Sequence, residues 1–338
     1  MSRRGSIFTK RKRHTGRWVA FFLLCAIAVC GVYTVIDNGR VVVRSQRILA
    51  WDLPPGLEGF TVLLLSDLSG QRFGPGQKQI QSALKDKKYN AVCVTGNMIG
   101  PRGDMEPFME LLNVLDPSKP VYFIAGASDP APLASQAGGL VTTVSNWVSG
   151  AQREGAVFLD APASYQFGRS TVWFSDASQI TLDLDSAAES YARANVAADD
   201  YYLEAVSRTR DARARMRETD LNIVLSRYPI RAETVFRMQE MNEAKGNAFL
   251  RTVDVILAGG TAGGQWRLPF LGPVWAEDWF PKEEYTQGYH YSGSMLQYIS
   301  GGLGAISSSP LPGIRLFNTP EIALLTFTSK IGENVLPK

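Results

Sequence analysis

Short apolar runs alternate with polar or amphipathic stretches along the chain from about Val41 onward. This alternation predicts an α/β domain, because strands in the middle of a covered sheet are apolar on both faces. The predicted strands are residues 61–66, 91–95, 121–125, 170–175, 221–226, 253–258, 295–300 and 321–326.

Amphipathic stretches at residues 78–87 and 105–115 lie between the first three predicted strands. This order predicts parallel strands joined by right-handed helical crossovers. The later strands follow one another more closely, so we expect a second sheet packed on the first. Residues 182–219 are rich in Ala, Arg, Asp and Glu, which predicts an insertion of one or two exposed helices, with a partner-binding lid as the alternative.

Residues 18–36 form an uncharged apolar run, close to the ~20 residues needed to cross a bilayer. Seven Lys and Arg and no acidic residue lie in residues 1–17, and Asp37 follows the run. This asymmetry predicts a single membrane anchor with a cytoplasmic tail and an extracytoplasmic body. Residues 37–50 would then be a linker and first strand, and residues 51–338 the folded domain. A cleaved secretory signal peptide is the alternative.

Charge and composition exclude several classes of function and several kinds of metal site. The whole chain carries +3 and the tail carries +7, so the rest carries −4, which argues against nucleic-acid binding. Three Cys without a Cys-x-x-Cys pair exclude a disulfide framework and a Cys-ligated zinc site. A body without disulfides suggests a bacterial cell surface. His14 lies in the tail, and His290 in an aromatic loop is expected to be a surface or packing residue, so a His-rich dinuclear metal centre is excluded.

Candidate functional residues follow the predicted strands, where ligands bind in open α/β sheets. The five segments are residues 66–69 (SDLS), 95–98 (TGNM), 125–129 (AGASD), 226–229 (SRYP) and 259–265 (GGTAGGQ). This series resembles, in order and spacing, the motifs of the calcineurin-like metallophosphoesterases of the membrane-anchored bacterial type. Those motifs are Asp-x-His, Gly-Asp, Gly-Asn-His-Asp/Glu, a His two residues before Pro, and Gly-His-Thr-His-Gly-Gly-Gln. The resemblance continues through residues 301–304 and 314–322, and it implies a sandwich of two mixed β-sheets flanked by helices.

The resemblance also assigns positions to the family's two metals and to its leaving-group residues. The first metal's positions fall on Asp67, Ser69, Asn97 and Ala262, and those of the second metal fall on Asn97, Ala127, Arg227 and Gly260. The His near the leaving group corresponds to Ser128, and its carboxylate partner to Asp129. Since only Asp67 and Asp129 retain a carboxylate, we expect no metal and no other cofactor.

Two functions follow from this altered motif set. The first is a pseudoenzyme that binds an envelope protein or an anionic ligand such as a phosphate group. Arg227 with Gly260, Thr261 and Gly263 would hold the anion, because guanidinium and backbone N–H groups bind phosphate without metal. The second is a weak or altered phosphoesterase that uses Asp67, Asp129 and a divalent Mn, Mg or Zn ion.

Simpler structural roles remain open for several of these residues. Asp67 and Asp129 also suit capping or turn positions, and the glycines of residues 259–264 suit turns with positive φ. Four aromatic residues lie near a Pro-rich loop, where core packing is expected and a groove or membrane-proximal contact is the alternative; these residues are Trp266, Trp275, Trp279 and Phe280.

Overall fold

The computed structural model describes residues 15–100, 103–136, 141–193, 200–244, 252–276, 278–306 and 313–330. Most of the predicted basic tail lies outside the described residues. The first helix, α1 (Thr15–Asn38), contains the predicted apolar run. Within its segment 16–38, an 18-residue window reaches a mean hydropathy of 2.6, which suits either a membrane span or a signal sequence.

The domain is mixed α/β, as predicted, and contains two six-stranded sheets. The first sheet has the order β1-β16-β2-β3-β4-β7, with β16 antiparallel to β2 and the other neighbours parallel. Its strands are β1 (Val42–Leu49), β2 (Thr61–Leu65), β3 (Ala91–Val94), β4 (Val121–Phe123), β7 (Ala156–Phe158) and β16 (Glu321–Thr328).

The second sheet has the order β14-β15-β11-β10-β9-β8, with four parallel strands between two antiparallel edges. Its strands are β8 (Ala163–Phe167), β9 (Ser170–Asp176), β10 (Leu221–Ser226), β11 (Val255–Ala258), β14 (Gly288–Ser292) and β15 (Met295–Ile299). Two small hairpins complete the strands: β5 (Leu133–Gln136) with β6 (Val141–Val144), and β12 (Trp266–Leu268) with β13 (Gly272–Trp275).

The two large sheets pack face to face. Successive side chains of a strand point to opposite faces of its sheet, so each central strand contributes to the core between the sheets and to the core under the helices. Leu64 of β2 belongs to the core between the sheets, whereas its neighbours Leu63 and Leu65 face the helices on the outer side. The rings of Tyr122 and Phe174 stack across the inter-sheet core with centroids 4.2 Å apart. The predicted sandwich of two sheets is therefore the architecture of the domain.

Helices cover both outer faces of the sandwich. The first sheet is covered by α2 (Lys78–Leu84), α3 (Glu106–Asn113) and α4 (Asn146–Arg153), and the second by α7 (Ala232–Ala244). Both predicted crossover helices are present.

The charged insertion contains two helices, α5 (Leu184–Arg193) and α6 (Tyr201–Arg215). The predicted exposure is only partial for α6, which buries Ala205, Val206, Thr209 and Ala212. The carboxylate of Asp200 caps α6 and also accepts the backbone N–H of Thr142 at 2.6 Å. Because a buried cap joins it to β6, α6 is part of the packed domain.

Candidate functional site

The loops that follow the parallel strands of both sheets meet at one end of the sandwich. The backbone N–H of Gly260, after β11, lies 3.1 Å from each carboxylate oxygen of Asp67, after β2. The loops after β3 and β4 join them through Asn97 and Ser128. The structure therefore brings these predicted strand-end residues together at one end of the sandwich.

Asp67 is fully buried at the centre of this site. Its Oδ1 accepts Nδ2 of Asn97 at 2.9 Å, and its Oδ2 accepts the hydroxyl of Ser66 at 3.0 Å. Burial raises the pKa of the Asp67 carboxyl, while the donors from Asn97, Ser66 and Gly260 oppose that rise. Hydrogen-bond donors of the protein thus surround the one carboxylate retained at the predicted metal positions.

Asn97 links Asp67 to the loop after β4. Its Oδ1 accepts both the backbone N–H and the hydroxyl of Ser128, each at 2.9 Å. Its amide therefore donates to one side of the site and accepts from the other, and it carries no charge. A bridging carboxylate would instead offer acceptors on both sides, which is what two cations require.

Asp129 joins two loops within the protein. Its Oδ1 accepts the N–H of Ile99 at 2.7 Å and its Oδ2 accepts the N–H of Gly126 at 2.8 Å. Burial raises the pKa of the Asp129 carboxyl, and these backbone donors oppose that rise. This geometry supports the turn interpretation of Asp129.

Backbone atoms fill the space around Asp67 on the side of Gly302. A Cβ added at Gly302 would lie 2.9 Å from Oδ2 of Asp67 and 3.3 Å from Cα of Ala262. Gly302 has φ +71°, and Ala262 is buried with φ +44°. The loop after β15 can approach Asp67 closely because residue 302 has no side chain.

The donor set does not fit a two-metal centre. Among the described residues, no group of three or more His, Cys, Asp or Glu is arranged to hold a metal ion. Ala127 and Ala262 offer no side-chain ligand, and Ser69 is half-buried with its backbone N–H bonded to the carbonyl of Asn97 at 2.8 Å. These residues therefore do not support a reaction step through a metal.

Arg315 is a residue of this region that was not predicted from the sequence, although Arg315 lies in the C-terminal segment that resembles the family. Its guanidinium is fully buried and donates to the carbonyls of Gly301 and Gly304 at 2.7 Å and of Asn318 at 2.9 Å. Burial lowers the pKa of Arg315 to about 10, and the negative charge of Asp67 opposes this shift. Its signal in the sequence is one cation between apolar neighbours, a pattern that surface residues also show.

The predicted anion cradle is only partly assembled. The N–H of Gly260 is engaged by Asp67, and the hydroxyl of Thr261 donates to the carbonyl of Thr286 at 2.7 Å. Gly263 is buried, whereas Arg227 is exposed. Gly260 and Thr261 are therefore not free to bind an anion with these groups, and Arg227 remains as the candidate.

Arg227 lines a cavity of about 360 Å³ beyond the ends of β9 and β10. Arg231, Ser178, Thr181 and Asp176 also line this cavity. The guanidinium of Arg231 lies 5.8 Å from the ring centre of Tyr285, which restricts its position. Burial raises the pKa of the Asp176 carboxyl, and the charge of Arg227 opposes that rise.

The aromatic candidates divide between the core and the surface. Trp275 is buried and Trp266 half-buried, whereas Trp279 and Phe280 are 59% and 67% exposed. Nε2 of His290 lies 2.7 Å from the carbonyl of Gln287, consistent with the predicted packing role. His14 lies outside the described residues.

Comparison with known proteins gives a partial match. No family model matches the chain. The uncharacterized metallophosphoesterase YkuE of Bacillus subtilis is 33% identical over 114 residues, which are 32% of this chain and 36% of the relative. The chain therefore matches about a third of the length of this curated relative.

Two solved structures are similar over most of the chain. Phosphopantetheinyl hydrolase (PptH) from Mycobacterium tuberculosis has a TM-score of 0.35 and 13% identity, covering 73% of this chain and 91% of its own. The protein TT1561 of Thermus thermophilus has a TM-score of 0.37 and 11% identity, covering 72% of this chain and 90% of its own. Both TM-scores are low, so the description of the fold rests on the sheet order and packing of this chain.

Proposed function

We propose that this protein is a membrane-anchored metallophosphoesterase homologue that has lost two-metal catalysis and binds an anionic ligand outside the cell membrane. One observation carries the proposal: Asn97 and Gly260 donate to Asp67 where cations would have to bind. The partial similarity to a metallophosphoesterase supports the fold relationship, and the altered donor set supports the loss of catalysis.

Contacts at the end of α1 support an anchor that stays attached. Asp37 is 1% exposed and accepts the hydroxyl of Thr319 at 2.8 Å. The ring of Tyr33 stacks on Phe317 with centroids 5.6 Å apart. A segment whose last turn belongs to the packing of the domain is better suited to an anchor than to a leader that is removed. The charge asymmetry around the apolar run supports an extracytoplasmic body.

The ligand site of this proposal is the cavity lined by Arg227 and Arg231. Arg227 and Arg231 line this cavity together with Asp176, and they favour a phosphate or carboxylate group, since Arg pairs with such anions in bidentate fashion. Ser178 and Thr181 add polar side chains to the same wall. An envelope protein that presents such a group would be a partner of the same site.

The first experiment measures metal content and turnover of the full-length protein, purified in detergent without chelator. Mn²⁺, Mg²⁺ and Zn²⁺ are added with p-nitrophenyl phosphate and bis-p-nitrophenyl phosphate as substrates. We expect no stoichiometric metal and no turnover that depends on Asp67. Asp211→Ala, at an exposed position on α6, is the control. The weak phosphoesterase would be established instead if turnover depends on metal, is abolished in Asp67→Ala and is retained in the control.

The second experiment measures binding of inorganic phosphate by calorimetry. Arg227→Ala should weaken binding by about 10- to 150-fold, because a charge-assisted hydrogen bond contributes about 1.5–3 kcal/mol. The control is Arg217→Ala, which removes an exposed guanidinium outside the cavity. Equal phosphate affinity in Arg227→Ala and the control would contradict the anion site.

A further inference from the structure

A cluster of exposed apolar side chains lies on the β12–β13 hairpin and the neighbouring loop at residues 278–280. Phe270 at the hairpin tip is fully exposed, and Leu271 is 64% exposed. Leu268, Trp279 and Phe280 are also exposed. We call the hairpin (residues 266–275) and this loop the apolar hairpin. Contiguous exposed apolar surface of this kind marks a binding surface.

The apolar hairpin is held rigidly by aromatic contacts at its base. The ring of Trp266 lies 5.9 Å from that of Trp275 and 6.3 Å from that of Trp279. The N–H of Phe280 donates to the carbonyl of Val274 at 2.8 Å. Because the base is fixed, the exposed side chains at the tip are presented in a defined direction.

One backbone segment joins the apolar hairpin to the end of α1. On one side, Leu316 exchanges backbone hydrogen bonds with Gln265 and Arg267 at 3.1 and 2.9 Å. On the other side, its neighbours contact α1: the N–H of Arg315 donates to Oδ1 of Asn38 at 2.8 Å, and Phe317 stacks on Tyr33. The points at which the hairpin and the helix contact this segment are therefore about one residue, or ~3.3 Å, apart along the chain.

We infer that the apolar hairpin inserts into the surface of the bilayer that α1 crosses. The uncharged run ends at Ile36, directly before Asp37, so the end of α1 marks the membrane surface, and the hairpin begins at that level. Its tip lies four residues beyond Trp266, a reach of about 13 Å, which suffices to enter the headgroup region. Trp, Phe and Leu side chains are found at that depth in interfacial segments.

This inference rests on the anchor of the proposed function but not on its anion site. Insertion would give the body a second attachment point and fix its orientation on the membrane. The cavity of about 450 Å³ beside Trp279 and Phe280, which Thr261 and Arg231 also line, would then open close to the lipid surface.

The test uses the full-length protein in vesicles of phosphatidylethanolamine and phosphatidylglycerol. Cys25 and Cys30 are replaced by Ser, while the buried Cys93 is kept. An environment-sensitive fluorophore is attached to Phe270→Cys, to Phe280→Cys or to the control Val157→Cys. Val157 is 40% exposed and lies on β7, the edge strand of the first sheet opposite β1. A fourth label at Ile27→Cys reports on the helix itself.

We expect labels at positions 270 and 280 to show blue-shifted emission. Doxyl-labelled lipid should quench most of their fluorescence, as it should at position 27. The label at position 157 should change little in either measurement. Quenching at position 27 with none at 270 and 280 would overturn the inference while leaving the anchor intact. No quenching at any position would overturn the anchor and the inference together. Phosphate binding is measured separately, so failure of the anion site is distinguishable from both.

Discussion

The side-chain amide of Asn97 donates to Oδ1 of Asp67 at 2.9 Å, and the two groups are buried together. A neutral donor thus compensates a buried carboxylate. Asn97→Asp would place a second carboxylate against the first, so we expect a loss of about 3–5 kcal/mol of unfolding free energy at pH 7. Thermal or urea unfolding in detergent measures this loss.

The loss in Asn97→Asp should shrink as the pH falls from 7 towards 4. Two adjacent carboxylates raise each other's pKa in the folded state, so their repulsion acts above the unfolded pKa and is relieved by protonation. Asn113→Asp, on the exposed end of α3, is the control and should change little. A loss of equal size at pH 5 and pH 7 would contradict the explanation.

Arg315 stabilises the loop after β15 from inside the protein. Its guanidinium donates to three backbone carbonyls, and Arg315→Met would leave them without these donors. We expect a loss of about 3–5 kcal/mol, measured as a lower unfolding midpoint of the full-length protein. Arg153→Met at the exposed end of α4 should stay close to the parent protein. Similar midpoints for the two variants would show that Arg315 is not a structural cation.

Asp254 predicts a pH dependence of stability. Burial raises the pKa of its carboxyl from 3.8 to about 6, with a further contribution from Asp52, while the N–H of Asn222 opposes the rise. Since the folded state holds this proton more tightly than the unfolded state, its contribution to stability is present at low pH and is lost as the pH rises from about 4 to about 6.

Asp254→Asn should therefore remove that part of the pH dependence and raise the melting temperature at pH 7. In the parent protein the N–H of Asn222 donates to Oδ2 of Asp254 at 2.7 Å. The asparagine side chain retains an oxygen that can accept this hydrogen bond. Melting temperatures between pH 4 and pH 7 provide the measurement, with Asp211→Asn on the exposed face of α6 as the control. Parallel curves for the parent protein and Asp254→Asn would refute the assignment.

Asn38 fixes the end of α1 to the domain. Its Nδ2 donates to the carbonyl of Arg315 at 2.7 Å, and its Oδ1 accepts the N–H of the same residue at 2.8 Å. Asn38→Ala removes both hydrogen bonds, so we expect a loss of about 1–3 kcal/mol and faster tryptic cleavage at Arg40. Asn113→Ala is the control, and equal cleavage rates in the two variants would show that the helix end is not held by Asn38.

The strands that were predicted from sequence share one property, which is burial on both faces. All eight predicted strands are present, and the first strand expected in residues 37–50 is β1. The strands that were not predicted, β5 to β8 and β12 to β14, are short or half-exposed and lie at sheet edges or in small hairpins. The pattern of apolar residues in these strands is weak, because pairing with distant segments, rather than local hydrophobicity, decides where they form.

The sequence alone determined which residue types lie at the candidate site. The strand-end segments placed Asp67, Asn97, Asp129 and Arg227 at one end of the sandwich, and the missing His ligands were visible without coordinates. Residue types at the ends of parallel strands are sufficient for this step, because the topology brings those ends together.

Only the tertiary structure decided how these side chains are used. It directs the amide of Asn97 towards Asp67, engages Asp129 with two backbone donors, and buries Arg315 behind the loop after β15. It also joins the end of α1 to the apolar hairpin through residues 315–317. These relationships connect segments far apart in the chain, and hydrogen bonds require a distance and an angle that no local pattern specifies.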